Sequence, residues 1–535
     1  MSDSITKTHD VVIVGAGFAG LYALYRMKEM GLSAIVLERG DGIGGTWHWN
    51  RYPGARCDVE SLQYSYSFSD EVQQEWKWSE RFASQGEILR YIHFVADKFG
   101  LRKFVELNTG VVAATYDDDD AMWTTRTADG RLLRTRYIIF ATGCLSVPIE
   151  PDIPGLDRFA GNIYRTSTWP KTPVDFTGRR VAVVGTGSSG IQAVPVIALE
   201  ARHLFVLQRT PNYSIPGRNS PMDQEYEADW KRNYAQRRQA ALQTRSSNLF
   251  NAGTIPGREV SAEDREREFE RRWEAGGLGF TYCYPDITMD PDVNKHASEF
   301  VRRKVAQKVK DPKVAASLVP TEYGIGGRRL CVDNGYYETF NRDNVTMVDL
   351  RNEPLLGMTQ GGFATQRGEY EIDDLVLATG FDAFTGALNR IDVRGRAGVS
   401  LREKWADGPA NYLGLTVTGF PNMFTVTGPG SPSVLSNVVI SIQQHVDWIT
   451  ECLEFLRQHG RTTIEAKPES EEAWGRHIAG IAEGTLISKT KSWYTGTNVT
   501  GKTNRYFLYM GGTVRYLQEI NQAGRESGYS GFTIG

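Results

Sequence analysis

Two glycine-rich turns, each placed directly after an apolar strand, constrain the fold of this chain more than any other feature. The strands cover residues 11–14 and 181–184, and a helical pattern follows each turn. The glycines are Gly15, Gly17 and Gly20 in the first turn and Gly185, Gly187 and Gly190 in the second. Glycines at this spacing let the backbone approach a pyrophosphate, which then binds at the positive end of the following helix. A lone turn of this kind is a weak signal, but two with the correct flanking elements predict an α/β fold with two Rossmann-like dinucleotide-binding domains.

The strands that follow the two turns end in different residues. Glu38 lies eighteen residues after the last glycine of the first turn, and the second turn has Gln208 at that offset, followed by Arg209 and Thr210. A carboxylate there accepts hydrogen bonds from an unmodified ribose, whereas a cation suits a 2′-phosphate. We therefore expect one dinucleotide with a free ribose and a second that is NADP(H), and FAD is the natural acceptor of a hydride from NADPH. The alternative is a doubly wound sheet whose crevice binds no nucleotide.

Charge and cysteine content argue against several classes of protein. The formal net charge is −3 with both signs mixed along the chain, which argues against a nucleic-acid partner. The five cysteines are scattered without a CxxC pair, so we expect no disulfide framework, no metal site and no redox-active pair of a disulfide reductase. Reduced, unpaired thiols are typical of a cytoplasmic protein. The apolar stretch 11–27 is interrupted by glycines and Arg26, so we expect no membrane span.

The order of the strand patterns predicts that the chain leaves its first domain and later returns to it. Two strands end in Ala-Thr-Gly, one near residue 142 and one near residue 379, with a charged, helix-forming stretch between them. We expect the stretch to form a helical subdomain whose charges face solvent. The expected boundaries are 1–146 and 384–535 for the FAD-binding domain, 147–214 and 320–383 for the NADP-binding domain, and 215–319 for the helical subdomain.

A segment between the two turns carries a more specific pattern. It contains Phe159, Gly161, Arg165 and Trp169. This spacing resembles the FxGxxxHxxxW fingerprint of type I Baeyer–Villiger monooxygenases, except that Arg165 stands where the family has histidine. The resemblance extends over nearly the whole chain through the stretches 47–58, 208–210, 326–330, 378–380, 428–433 and 492–496. It is closest to the branch that contains phenylacetone and steroid monooxygenases. Together these motifs are far more specific than either glycine turn.

The resemblance implies an FAD-containing enzyme that uses NADPH and O₂ to convert ketones to esters or lactones through a C4a-peroxyflavin. A peroxide that attacks a carbonyl must stay an anion, so the site needs a fixed cation that does not give up a proton, and arginine meets this need. By resemblance the catalytic role falls to Arg329, with Asp58 as the carboxylate that holds it. Without the resemblance, Arg328 and Arg329 would be interpreted as a solvated basic pair.

The resemblance also indicates cofactor and substrate residues. The candidates it adds to the glycines and Glu38 for cofactor binding are Thr46, Trp47, Asp58, Ser188, Arg209, Thr210, Arg328 and Trp493. Two cations, Arg209 and Arg328, would hold the 2′-phosphate with Thr210. Trp493 lies in a Gly/Thr/Asn-rich segment typical of a mobile lid, although a core aromatic is the simpler interpretation. The candidates for the substrate pocket are Ser433, Val434 and Leu435, which by themselves indicate only an apolar surface.

Arg165 leaves two interpretations open. In the first, it makes the same hydrogen bonds in the domain linker as the family's histidine. In the second, its size and permanent charge weaken the coupling between the domains, so that the reduced flavin passes its electrons to O₂ and hydrogen peroxide is released. We favour the first because the other chemistry motifs are intact.

Three other functions compete with ketone oxygenation. An N- or S-oxygenating flavin monooxygenase shares both glycine turns, although Trp169 and Arg329 argue against it. An NADPH oxidase without oxygen insertion follows if Arg165 uncouples the enzyme. A mere nucleotide-binding module leaves an Arg329–Asp58 pair without a purpose. We expect a monomer or weak oligomer that acts on a small-molecule ketone, and aryl, cyclic and steroidal ketones all fit the sequence.

Overall fold

The computed structural model describes residues 5–499, 501–502 and 506–535. In chain order its strands are β1 (Ile5–Val14), β2 (Ala34–Leu37), β3 (Val105–Glu106), β4 (Val111–Asp117), β5 (Met122–Thr127), β6 (Leu132–Phe140), β7 (Asn162–Arg165), β8 (Arg180–Val184), β9 (His203–Gln208), β10 (Ser214–Pro216), β11 (Cys331–Asp333), β12 (Val345–Asp349), β13 (Leu355–Met358), β14 (Gly362–Thr365), β15 (Gly368–Glu371), β16 (Asp374–Leu377), β17 (Asp392–Arg394), β18 (Met423–Thr425), β19 (Ile464–Ala466) and β20 (Phe532–Ile534). Its α-helices are α1 (Phe18–Glu29), α2 (Thr46–Trp49), α3 (Asp70–Glu75), α4 (Gln85–Lys98), α5 (Ser188–Glu200), α6 (Gln224–Arg232), α7 (Tyr234–Leu242), α8 (Ala262–Ala275), α9 (Pro291–Lys308), α10 (Pro312–Ser317), α11 (Tyr336–Thr339), α12 (Gly386–Asn389), α13 (Leu401–Lys404), α14 (Val438–Gln458), α15 (Pro468–Glu483) and α16 (Thr513–Ala523). None of these helices is long and apolar enough to cross a membrane.

The first sheet has eight strands and carries the first glycine turn. Its strands lie in the order β17-β4-β5-β6-β1-β2-β3, and β18 pairs with β6. β1 is parallel to both β2 and β6, so the turn after β1 opens at the carboxyl edge of these strands, where doubly wound sheets bind their ligands. β17 and β18 come from the second half of the chain, which therefore leaves this sheet and returns to it.

The second sheet is entirely parallel and carries the second glycine turn. Its five strands lie in the order β12-β9-β8-β16-β7. β16 reaches the sheet from far along the chain and pairs with β8 on one side and with β7 on the other. The two sheets with helices on them confirm the expected α/β fold with two Rossmann-like units.

Helices α6–α10 lie between β10 and β11, and an aromatic cluster joins α8 to α9. Phe269 of α8, Phe280 and Phe300 of α9 have ring centroids 5.6–5.9 Å apart and are almost fully buried. Most charges of α8 face solvent, as expected, but Arg272 is buried. Its guanidinium forms an ion pair with Glu268 at 2.7 Å and donates to the backbone carbonyls of Phe250 and Asn251, which together compensate a charge that the sequence alone places on the surface.

The irregular aromatic and glycine-rich sequence of residues 44–58 predicts one long loop, and this prediction is wrong in part because the stretch contains a turn of helix. Gly45 has a φ of +54° and starts the single-turn helix α2. The His48 N–H donates to the Gly45 carbonyl at 3.0 Å, which closes the turn. The rest of the stretch has no regular structure.

His445 on α14 connects three parts of the chain that are distant in sequence. Its Nδ1 accepts a hydrogen bond from the Thr427 N–H at 2.9 Å, so its Nε2 carries the proton and donates to the Tyr516 hydroxyl at 2.8 Å. Tyr516 in turn donates to the Leu413 carbonyl. The imidazole is fully buried, and burial lowers the pKa of His445 to about 3.

This network predicts acid sensitivity of folding. Because the pKa of His445 is about 3 in the folded protein and near 6.5 when exposed, the unfolded chain binds the proton first. Stability is complete above about pH 6.5 and decreases towards pH 3, by at most about 1.4 kcal/mol per pH unit from this group. Denaturant unfolding between pH 7 and 5 should show a smaller pH dependence in His445→Gln than in the parent chain. Equal slopes would contradict the assignment.

Candidate active site

The first glycine turn has no room for side chains at two of its three glycines. A Cβ on Gly15 would lie 2.6 Å from the Ala141 carbonyl oxygen, and one on Gly20 would lie 1.8 Å from the Gly15 carbonyl oxygen. Gly15 also has a φ of +105°, which favours glycine. Gly17 precedes α1 and faces only the backbone of Gly45. The amino end of α1 is therefore bare backbone, against which a pyrophosphate fits.

Glu38 lies at the end of β2, beside this turn. Its carboxylate accepts hydrogen bonds from the Ala16 N–H at 2.8 Å and from the Gly40 N–H at 2.7 Å, and the side chain is buried. Each carboxylate oxygen keeps a lone pair for a ribose hydroxyl. The residues here fit the adenosine half of FAD.

The second glycine turn is built in the same way. A Cβ on Gly185 would lie 2.4 Å from the Ala378 carbonyl oxygen, and one on Gly190 would lie 2.0 Å from the Gly185 carbonyl oxygen. Gly187 faces open space, with no described atom within 4 Å of an added Cβ. Ser188 is the first residue of α5, and its hydroxyl lies 3.5 Å from the Cys331 Sγ. The turn fits a second dinucleotide.

The end of β9 presents an arginine and not a glutamine to solvent. Gln208 is buried and its side-chain amide donates to the Ser317 carbonyl at 2.7 Å, so it turns away from the crevice. Arg209 is exposed. Thr210 is held beside the glycine turn because its carbonyl accepts from the Thr186 hydroxyl at 3.2 Å. A cation and a threonine are thus available where a 2′-phosphate is expected.

Arg329 and Asp58 form an ion pair between segments 271 residues apart. Arg329 Nη2 lies 2.7 Å and Nε lies 3.2 Å from the same carboxylate oxygen, while Nη1 donates to the Val434 carbonyl at 2.8 Å. About a quarter of each charged side chain is exposed, 26% and 25%. Burial disfavours the charge and is the largest single effect, but Asp58 together with Tyr494 and Tyr282 outweighs it, so the pKa of Arg329 rises further above its usual value. Arg329 is therefore a fixed cation that does not release a proton at neutral pH.

A cavity of about 300 Å³ lies beside Arg329. Its walls are mainly apolar or aromatic and include Leu278, Tyr282, Tyr284, Ile287, Pro432, Leu435, Ile487, Tyr494, Tyr509 and Met510. No aspartate or glutamate of the described chain lines it. Burial raises the pKa of Tyr494 to about 12 although Arg329 acts in the opposite direction, so the hydroxyl stays protonated at neutral pH. The size suits a small organic molecule.

The three expected pocket residues have three different positions. Leu435 lines the cavity. Val434 contributes its carbonyl to Arg329. Ser433 is fully buried with a φ of +45°, and its hydroxyl donates to the Thr427 carbonyl. It therefore stabilises the conformation of the loop and does not line this cavity.

The aromatic residues after the first βαβ unit face different partners. Thr46 is exposed at the start of α2, and Trp47 is buried with its indole N–H 3.2 Å from the Tyr64 hydroxyl. Tyr52 donates to the Gln192 side chain of α5 at 2.8 Å, and Gln192 donates back to the Arg56 carbonyl. This stretch therefore joins the loop before Asp58 to the helix of the second glycine turn.

The segment with Trp493 is packed down on the strand end after β16. Trp493 stacks on Phe384 with ring centroids 5.7 Å apart and an angle of 19° between the planes. Asn498 donates to the Phe381 carbonyl at 2.9 Å. Lys502 forms an ion pair with Asp382 and donates to the Thr385 hydroxyl at 2.7 Å. These contacts hold the segment in place, and its residue Tyr494 lines the same cavity as Arg329.

The fingerprint residues span both sides of β7. Phe159 and Trp169 are buried, and an added Cβ on Gly161 would lie 2.5 Å from the Asp373 carbonyl oxygen. Arg165 ends β7 and donates to the Glu150 carboxylate at 2.9 Å. Its guanidinium is one-third exposed, so the pair lies at the surface of the linker between the two sheets.

All five cysteines are unpaired. The described residues contain no group of three or more His, Cys, Asp or Glu side chains that could hold a metal ion.

Comparison with known proteins identifies the family. A steroid monooxygenase structure with bound NADP superposes with a TM-score of 0.95 at 46% identity over 98% of this chain and 99% of that one. An acetone monooxygenase (methyl acetate-forming) from Gordonia sp. (strain TY-5) is 38% identical over 99% of both chains. The chain belongs to the type I Baeyer–Villiger monooxygenases. Members of this family are oxidoreductases that use FAD and NADP(H).

Two further matches qualify this membership. A phenazine N-monooxygenase from Lysobacter antibioticus is 39% identical over 533 residues, which cover 99% of this chain and 97% of the relative. A model described as pyridine nucleotide-disulphide oxidoreductase matches residues 12–223. This match covers both glycine turns but brings no cysteine pair, because the two cysteines within it, Cys57 and Cys144, are both free.

Several residues of the site could not be found from sequence. The Val434 carbonyl acts through the backbone, which has no sequence signal. Tyr494 is adjacent to Trp493 in a recognisable motif, and that adjacency is the only signal for it. Gln192 and Lys502 are ordinary polar residues whose partners lie more than 100 positions away.

The end of β9 predicts which nicotinamide cofactor is used. Arg209→Ala should raise the Michaelis constant for NADPH about 10-fold or more, because a charged hydrogen bond to phosphate is lost, with little change for NADH. Steady-state kinetics with both cofactors test this. Arg202→Ala, which removes an exposed arginine in the turn before β9, is the control. An equal change for NADPH and NADH would contradict the assignment.

Proposed function

We propose that this protein oxygenates ketones to esters or lactones with NADPH and O₂. The observation that carries the proposal is the Arg329–Asp58 ion pair at the wall of an apolar cavity, close to two dinucleotide-binding turns. The acetone and steroid monooxygenases named above support the substrate class. When bound, FAD accepts the hydride and activates O₂.

The residues around the cavity meet the electrostatic demands of this reaction. Arg329 stabilises a developing anion without offering it a proton, and Asp58 with the Val434 carbonyl fixes the guanidinium in place. Tyr494 stays a neutral hydrogen-bond donor because its pKa is about 12. The apolar walls exclude water, which strengthens these interactions.

For cofactor binding we propose the following arrangement. FAD lies against the turn at residues 15–20 with Glu38 on its ribose, and Thr46 and Trp47 flank it. NADP(H) lies against the turn at residues 185–190 and Ser188, with its 2′-phosphate on Arg209, Thr210 and Arg328. Trp493 closes over the nicotinamide half.

Oxygenation of a ring nitrogen is a second candidate. The 39% identical phenazine N-monooxygenase favours it, because its match covers nearly all of both chains. The size and apolar wall of the same cavity suit a planar heteroaromatic molecule, and four tyrosines in its wall can stack on one.

Replacement of the catalytic cation separates the two half-reactions. Arg329→Ala should still allow NADPH to reduce the flavin, since hydride transfer needs no stabilised peroxide, but ester formation should fall by about 100-fold or more. Anaerobic stopped-flow absorbance and product analysis measure the two steps. Arg329→Lys is the matched control, because it keeps the charge but not the planar guanidinium, and it should form ester at a rate between those of the parent protein and Arg329→Ala. Ester formation at the parental rate in Arg329→Ala would remove Arg329 from its role.

Coupling tests the linker and the substrate class together. The Arg165–Glu150 pair supports a working linker, so ester should approach one per NADPH for good substrates among aryl, cyclic and steroidal ketones. If peroxide dominates with every ketone and Arg165→His restores the ester, the protein is the uncoupled oxidase. If neither the parent protein nor Arg165→His forms ester and phenazines are converted to N-oxides, the second candidate function is established instead. Glu150→Gln is the control for the ion pair alone.

We further propose the division into domains at residues 146, 214, 319 and 383. The return of β17 and β18 to the first sheet, and of β16 to the second, supports it. A cytoplasmic location, in keeping with five free thiols, and a monomeric or weakly oligomeric state complete the proposal.

A further inference from the structure

A second and larger cavity, of about 580 Å³, lies apart from the cavity beside Arg329, which is called the ketone cavity below. It is an open groove lined by α9, by the stretch 321–328 and by residues 486–491, which lead into the segment with Trp493. Its lining residues with charge are Lys295, Arg302, Glu322, Arg328, Lys489 and Lys491. Five cations and one carboxylate around one cavity attract an anion.

Most of this positive charge is uncompensated within the described chain. Lys295, Lys489 and Lys491 form no ion pair there, whereas Arg302 is occupied by the Tyr213 hydroxyl and the Pro320 carbonyl. Arg328 lies over the Tyr323 ring, 5.0 Å from its centroid, and its buried Nε has no hydrogen-bond partner among the described residues. Such a group is costly to bury unless a ligand completes it.

The position of the cavity indicates which anion binds. The Tyr323 hydroxyl donates to the Pro211 carbonyl at 2.8 Å and lies 3.1 Å from the Asn212 side chain. These residues directly follow Arg209 and Thr210, which are proposed to hold the 2′-phosphate. The cavity therefore adjoins the proposed phosphate site, and Arg328 belongs to both.

Two of the unpaired cations are carried by residues 486–491, which lead into the segment proposed to close over the nicotinamide. Its start is fixed by the Leu486 N–H, which donates to the Thr288 carbonyl at 3.0 Å. Thr490 packs so closely on Gly327 that an added Cβ there would lie 2.7 Å from its hydroxyl. Lys489 and Lys491 flank Thr490, so their charges are held at the cavity next to Arg328.

We propose that Lys489 and Lys491, with Lys295 of α9, complete the 2′-phosphate site, so that the phosphate of NADP(H) itself holds the segment with Trp493 closed. This inference rests on the proposed function, which places the phosphate at Arg209, Thr210 and Arg328. The 2′-phosphate then sets cofactor preference and also seals the site against water, because one set of charges serves both. NAD(H), which lacks the phosphate, would leave the segment without this attraction.

Binding to the FAD-loaded enzyme tests the proposal without turnover. The double variant Lys489→Ala/Lys491→Ala should bind NADP⁺ about 10-fold more weakly in titration calorimetry, with NAD⁺ affinity unchanged. Lys491→Glu should weaken NADP⁺ further by repulsion and still leave NAD⁺ unchanged. Lys313→Ala, an exposed lysine of α10 away from the cavity, is the control. Chymotrypsin, which cuts after Trp493 and Tyr494, reports closure: NADP⁺ should protect the parent segment but not that of the double variant.

The outcomes separate this inference from the proposed function. Unchanged NADP⁺ affinity in the double variant, or equal losses for NADP⁺ and NAD⁺, would overturn it. Protection of the segment by inorganic phosphate as strong as that by NADP⁺ would also overturn it, since the cavity would then be a general anion site. Arg209→Ala is the reference: if it loses NADP⁺ preference and the lysine variants do not, only the inference fails. If Arg209→Ala loses none, the proposed placement of the phosphate fails.

Discussion

The Arg329–Asp58 ion pair is the interaction on which the arrangement of the site depends. Each partner is about three-quarters buried, so the loss of either would leave an uncompensated charge in a poorly hydrated place. The pair therefore joins the loop after the first βαβ unit to the chain that returns from the helical region. Val434 adds a third segment through its carbonyl. Residues 326–330 and 432–435 contribute to the wall of the cavity, whereas the Asp58 loop does not.

A second set of contacts positions the two dinucleotide turns relative to each other. Gln192 of α5 accepts a hydrogen bond from the Tyr52 hydroxyl and donates one to the Arg56 carbonyl, so it binds the loop before Asp58 at two points. Gly54 lies so close to the backbone of α5 that a Cβ would be 2.3 Å from the Gln192 carbonyl oxygen. A hydride can pass between two cofactors only if their reactive atoms are held close together, and backbone contact of this kind limits relative motion. The Arg165–Glu150 pair, being more exposed, contributes less to this restraint.

The sequence predicts the parts of this structure that local chemistry determines. Gly15 and Gly185 must be glycine because each has a positive φ and touches the backbone of another strand, and the ribose position follows from the strand after each turn. The direction of Gln208 could not be predicted, because its partner Ser317 lies 109 residues away. The same holds for the stacking of Trp493 on Phe384. Helix α2 was missed because a single turn started by glycine has no periodic pattern.

Arg328 and Arg329 are consecutive residues with different surroundings, and this joins the proposed phosphate site to the proposed catalytic cation. Arg328 lines both cavities, whereas Arg329 lines only the ketone cavity and is fixed by Asp58. The turn before them is tight, since Gly326 has a φ of +82° and Thr490 packs on Gly327. A charge that holds the segment of Thr490 at Arg328 therefore also holds it against the backbone that leads to Arg329, the proposed catalytic cation. The proposed phosphate site and the proposed catalytic cation thus lie on consecutive residues, which gives a physical reason for an oxygenase to distinguish NADPH from NADH.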